Sequence, residues 1–147
     1  MKPRVNVITI AVDDLERSLA FYRDGLGLPT KSIIATQFEG TETEPAGAVV
    51  FFELQGEMIL ALYPRQELAK DAKVPATAAS SLEFTLGHVT ESRGEVDELL
   101  ARAEAAGGTI TDQPHDRAWG IYSGYFQDLD GHLWEVIWNS KAHDESA

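Results

Sequence analysis

One element order occurs twice in this chain, and that repetition constrains the fold more than any single motif. Residues 5–12 alternate, with Ile8, Ile10 and Val12 on one face and Val7, Thr9 and Ala11 on the other, as a strand covered on one side does. Asp13 and Glu16 form a capping-box pattern. Leu15, Leu19, Tyr22 and Leu26 then recur at helical spacing, and Gly25 and Gly27 supply the stop. Strand-like segments follow at 30–37, 49–54 and 58–63. After a polar, proline-flanked stretch in which 66–70 can form a short helix, the order returns. Leu82, Phe84 and Leu86 alternate with Glu83, Thr85 and Gly87. Ser92 with Glu95 repeats the capping pattern before Val96, Leu99, Leu100 and Ala103, and Gly107 and Gly108 close the helix. Strands are expected at 109–113, 120–127 and 132–139, the last two joined by a tight turn over Asp128, Leu129, Asp130 and Gly131.

Each half reads βαβββ, and the offset is roughly 80 residues, too few for either half to bury much of a core alone. The expectation is therefore one pseudo-symmetric α+β domain over residues 1–140. Its first module is 1–64, its connector 65–80 and its second module 81–140, with a loose tail at 141–147.

The 12 basic residues stand against 24 acidic ones, a formal charge of −12, and no basic cluster offers the surface that phosphate backbones demand. Nucleic acid is excluded as a partner on that ground, and an anionic membrane is disfavoured with it. The longest apolar stretches, 46–52 and 58–63, are far too short to span a bilayer. No cysteine is present, so disulfides, thiolate nucleophiles and thiolate metal sites are out, and only 4 histidines could assist carboxylates at a metal. Basic then apolar residues open the chain, but Asp13 and Asp14 cut that run short, and a cytoplasmic protein is expected.

The element order, together with Val12-Asp13-Asp14-Leu15-Glu16-Arg17-Ser18-Leu19-Ala20-Phe21-Tyr22 and the late Asp128-Leu129-Asp130-Gly131-His132-Leu133-Trp134-Glu135, resembles the vicinal oxygen chelate superfamily. That group comprises glyoxalases, extradiol dioxygenases, fosfomycin-resistance enzymes and bleomycin-binding proteins. The segments 119–126 and 134–139 are similar to a bacterial subgroup described only as glyoxalase or bleomycin-resistance family. The resemblance implies paired βαβββ modules curved into an open, cup-shaped mixed sheet, a small ligand in the cup, and a homodimer.

It also implies four metal-ligand positions, commonly His, Glu, His and Glu. Anchored on the first motif, they fall on Val7, on Ala61, on Ser81 (Glu83 if the register slips by two) and on Glu135. Only Glu135 matches directly. One carboxylate, even helped by Glu83, is a poor chelate for zinc, nickel, manganese or iron. No cofactor is expected, and any divalent metal would use Glu135 and Glu83. His88 shares the parity of Leu82, Phe84 and Leu86, the packed face. His132 alternates with Trp134 and reads as structural, while His115 and His143 lie in loop and tail.

Glu135 shares its face with Leu133, Ile137 and Asn139, while Trp134, Val136 and Trp138 turn toward the helices. A carboxylate among aliphatic side chains needs water, a donor or a ligand cation, and Ser81, Thr9 or a tyrosine hydroxyl could supply the donor. Six of the thirteen aromatic residues lie between Trp119 and Trp138, more than solubility demands. Trp119, at the mouth of a strand, can stack on a planar ligand or cover a cation. Tyr122 and Tyr125 offer hydroxyls on opposite faces. The candidate ligand contacts are thus Glu135, Trp119, Tyr122, Tyr125 and Glu83. They suggest binding of a small, partly aromatic or cationic molecule in a metal-independent cup, as in antibiotic sequestration of the bleomycin-binding type. The alternatives are a metal-dependent lyase of glyoxalase I (lactoylglutathione lyase) type or an extradiol dioxygenase, and a non-catalytic interaction module.

Overall fold

A computed structural model describes residues 2–30, 33–34, 40–43, 46–78 and 84–141. The chain divides into two compact units, Met1–Ala78 and Ala79–Ala147. Each holds one mixed sheet with few helices. No described helix is long and apolar enough to cross a membrane.

In the first unit, strand β1 (Val7–Val12) leads into helix α1 (Leu15–Leu19), which widens into a π-helical turn over Ala20–Gly25. The cap is Asp14 rather than the expected Asp13: its carboxylate accepts from the Arg17 amide at 3.1 Å, while Asp13 pairs with the Arg65 guanidinium at 2.8 Å. The wide turn is closed by the Leu26 amide donating to the Phe21 carbonyl and places both Phe21 and Tyr22 in the core. Tyr22 meets Phe21 edge-on and lies 5.9 Å from the Phe52 ring.

Strands β2 (Val50–Glu53) and β3 (Ile59–Pro64) complete the sheet in the order β1-β3-β2, with β1 parallel and β2 antiparallel to β3. Of the strand expected at 30–37, most lies outside the described residues; Ile34 forms an antiparallel bridge to Val49. The connector carries a longer helix than expected, α2 (Arg65–Ala72). The alternation resolves as anticipated. Ile10, Val12, Val50, Phe52, Leu60 and Leu62 are buried on the helix side, whereas Val7 and Phe51, on the other, are 48% and 41% exposed.

The second unit repeats the plan in full among the described residues. Strand β4 (Leu86–Val89) precedes helix α3 (Arg93–Ala105) and strands β5 (Thr109–Asp116), β6 (Ile121–Gln127) and β7 (Leu133–Asn139), arranged β4-β7-β6-β5. The first strand again runs parallel to the last, and the other pairs are antiparallel. Ser92 caps α3 by accepting from the Glu95 amide at 3.2 Å, and the Glu95 carboxylate accepts in turn from the amide of Glu91, one residue before the cap, at 2.8 Å. Helix α3 packs over β5, β6 and β7, burying Val96, Leu100 and Ala103 against Phe126 and Val136.

Strand β4 lies beyond that footprint, which corrects one expectation. His88 is exposed rather than packed, in a shallow groove of about 180 Å³ with Thr90, Glu95, Glu98, Leu99 and Arg102. Phe84, of the same parity, is also exposed.

Candidate functional site

Strand parity divides the second sheet cleanly. Trp134, Val136 and Trp138 face α3, with Trp134 stacked on Phe126 at 6.0 Å and the Arg93 guanidinium 6.0 Å from the Trp138 ring. The opposite face carries Leu133, Glu135, Ile137 and Asn139 from β7 beside Ile121, Ser123 and Tyr125 from β6. Glu135 lies directly across from Tyr125 and from Gly87 on β4.

Its carboxylate is held by donors. Ser123, fully buried, donates from Oγ to Glu135 Oε2 at 2.8 Å. Tyr125 lies opposite Glu135, and burial first, then the Glu135 charge and a hydrogen bond to Glu135, raise the phenol's pKa above the ordinary tyrosine value. Behind Ser123 stands Arg117. Its Nε donates to Ser123 Oγ at 2.6 Å, and its Nη2 donates to Asp112 Oδ2 at 2.7 Å and to the Ser123 carbonyl at 3.3 Å. The guanidinium lies 5.3 Å from the centre of the Tyr125 ring. Asp112 also meets His115 Nε2 at 3.1 Å, and hydrogen bonds from Arg117 and then His115 hold its carboxyl below the usual range. Asp112, Arg117, Ser123, Glu135 and Tyr125 thus form one polar relay on the face that also carries Ile121, Leu133 and Ile137.

The remaining candidates stand elsewhere. Tyr122 is on the α3 side: its hydroxyl donates to Asp97, and Arg93 stacks 4.2 Å over its ring while pairing with Asp116. Its pKa is raised chiefly by the Asp97 hydrogen bond. Tyr122 therefore cannot share a ligand with Glu135 across the sheet. Trp119 sits at the tip of the β5–β6 hairpin, 82% exposed, with a left-handed φ of 64°. Following it, Gly120 has φ of 76°, and a Cβ there would fall 2.5 Å from Ser140 Oγ. From the Tyr125–Glu135 row to the Ile121–Asn139 row is four residues, about 13 Å at ~3.3 Å per residue. Trp119 lies beyond that, so a ligand touching both it and Glu135 must be elongated. Glu83 and Ser81 lie outside the described residues.

Sequence reading missed Arg117, Ser123 and Asp112. Ser123 was recoverable as a polar residue on the parity of Tyr125. Arg117 was not, because a bulged hairpin positions it: the β5–β6 register shifts between Ile110 and Asp112 and again between Asp112 and His115.

The metal positions implied by the resemblance do not fit an ion. Val7 and Ala61 lie on the same face of the first sheet, and neither side chain has a lone pair to give. Glu135 has one oxygen already engaged. Among the described residues, Asp128, Asp130 and His132 form a group of three acidic or histidine side chains with ligand atoms within 4.8 Å of one another. There Asp128 Oδ1 accepts from the Asp130 and His132 amides at 2.9 and 2.8 Å, and Oδ2 meets His132 Nδ1 at 2.7 Å. Both oxygens thereby fasten the turn before β7, where Gly131 takes φ of 84°.

The comparisons agree with this architecture. The family model of the Glyoxalase/Bleomycin resistance protein/Dioxygenase superfamily matches residues 4–136, and the chain belongs to that family. A glyoxalase-related enzyme from Fulvimarina pelagi is 32% identical, with a TM-score of 0.74 over 93% of this chain and 88% of that one. Lactoylglutathione lyase from Agrobacterium tumefaciens is 26% identical, with a TM-score of 0.64 over 97% of each chain. A fosfomycin resistance protein from Listeria monocytogenes shares the fold at 20% identity, with a TM-score of 0.66 over 95% of this chain and 96% of that one. Among curated proteins none matches.

Proposed function

We propose that this protein binds a small organic molecule on the Glu135 face of the second unit without a metal, in the manner of a sequestering or resistance protein. One observation supports the reading above the rest: Glu135 stands between Leu133 and Ile137 on its strand, with Oε2 fixed by Ser123 and Tyr125 directly across from it. A half-buried carboxylate so arranged is suited to a ligand that donates hydrogen bonds or carries positive charge. Leu133 and Ile137 offer that ligand apolar contact. Trp119 is the candidate for a planar group at the distant end of an elongated one. The two modules act as one domain over residues 1–140, and the chain works as a cytoplasmic homodimer.

A thermal-shift screen over planar cationic drugs, thiol conjugates and catechols, each with and without added divalent metal, tests this directly, since a native-state binder raises apparent stability. Metal-independent stabilisation by cations, lost in Glu135→Gln, is the expected result. The likeness to a lactoylglutathione lyase motivates the rival, a metal-dependent enzyme. Zinc, nickel, iron or manganese retained stoichiometrically through dialysis, with turnover of a thiol conjugate or catechol, would establish that rival instead.

A further inference from the structure

We infer that Arg117 sets the hydrogen-bond polarity of the Glu135 site: by committing the Ser123 proton to Glu135 Oε2, it fixes the Glu135 side chain as the acceptor of that contact, so that the site selects ligands that donate. The inference rests on the reading of this face as a ligand site and names the ligand class, an amidinium, guanidinium or ammonium group on an apolar or aromatic body.

A serine hydroxyl has one proton and can point it either way, so a Ser–Glu contact alone does not say which partner donates. Here the direction is forced. A guanidinium offers donors and no acceptor, and Arg117 Nε–H faces Ser123 Oγ at 2.6 Å, so the serine oxygen must accept there. Ser123 is fully buried, and water cannot take the arginine's place. The serine proton is left to Glu135 Oε2 at 2.8 Å. Arg117 is itself immobilised by Asp112 Oδ2, by the Ser123 carbonyl and by the Tyr125 ring. Because Asp112 offsets the guanidinium charge, the carboxylate of Glu135 supplies the uncompensated charge of the relay, which favours a monocation.

The relay makes a prediction that an ordinary structural arginine does not. In Glu135→Gln, Ser123 still donates, so the amide must turn its carbonyl to it and its NH2 toward the ligand. Three probes of one shape read this out by titration calorimetry: benzamidinium, benzamide and benzoate. The natural protein is expected to prefer benzamidinium over benzoate by about tenfold or more, and Glu135→Gln to reverse that order by a similar factor, the scale of one charge-assisted hydrogen bond. Adding Arg117→Met, or the milder Ser123→Ala if the first fails to fold by circular dichroism, frees the amide to turn and should bring the benzoate-to-benzamidinium ratio back to about one. Arg117→Lys, which keeps a permanent donor, should retain the reversal. Absence of a reversal in Glu135→Gln, or its persistence when Arg117 or Ser123 is removed, overturns the inference while leaving the site intact. If no probe binds the natural protein, or Glu135→Gln changes none of the three affinities, the ligand site itself falls and the inference with it.

Discussion

Both units pack one face of a mixed sheet under helical segments, yet their opposite faces are different in kind. Among the described residues of the first unit, that face presents Val7, Thr9, Phe51, Ala61 and Tyr63, with Glu53 opposite Ile59 as its charged member. In the second, the corresponding face holds Asp112, Arg117, Ser123, Tyr125 and Glu135 joined by hydrogen bonds. The two helix-side faces do the same physical work, burying apolar area beneath a helix. Repetition of the fold therefore fixes the scaffold twice, while among the described residues a hydrogen-bonded polar relay is built in the second copy. Part of that relay depends on the bulged β5–β6 hairpin, which brings Arg117 and Asp112 to Ser123.

The largest expected effect tests the shared part of that comparison. Phe52 and Phe126 are buried to 0% and 1% exposure on the helix side of their sheets. Either Phe→Ala change should cost about 3–5 kcal/mol in urea denaturation. A loss confined to one variant would mean that the two cores are not equivalent.

A smaller effect is peculiar to the second unit. A Cβ at Gly124 would lie 2.6 Å from Leu100 Cδ1 and 2.9 Å from the Asp112 carbonyl oxygen, so α3 and β5 approach β6 through the missing side chain. Gly124→Ala should destabilise by about 1–3 kcal/mol, measured the same way. An unchanged midpoint would show that the helix can withdraw without penalty.

The smallest expected effect sharpens the contrast between the two outward faces. Asp112 has a folded pKa lowered by Arg117 and then His115, so its contribution to stability is present above the usual carboxylate range and is lost as pH falls through the lowered value. Asp112 is substantially exposed, and solvent screening keeps the contribution small. The melting temperature of Asp112→Asn should fall less steeply between pH 6 and pH 3 than that of the natural protein, a window spanning the ordinary carboxylate range. Parallel acid limbs would indicate that the relay adds nothing to stability.

Much of the scaffold was legible because alternation and capping are local signals. Ser92 with Glu95 marked the start of α3, and the parity of Ile10 and Val12 marked the core side of β1. The cap of α1 slipped to Asp14 because Arg65, 52 residues on, engages Asp13, a distant contact that no local pattern encodes. His88 was misread for a related reason: parity gives the face of a strand but not the extent of the helix above it. Of the candidate site, Glu135 and both tyrosines were visible in the sequence, but alternation alone did not say which tyrosine shares the face of Glu135; the strand register pairs it with Tyr125. Arg117 reaches them across a bulge, and Tyr122 parts from them because adjacent residues in a strand face opposite ways.

The parallel pairing of β4 with β7 has a consequence for synthesis. The middle of the second sheet is the last of its strands to leave the ribosome, so β4 and β6 each expose an unpaired edge until Leu133–Asn139 has emerged. Until then the β5–β6 hairpin is open to mispairing, and closure must await a contact distant in sequence. Nascent chains arrested before that strand should depend on chaperones, and those arrested well after it should not.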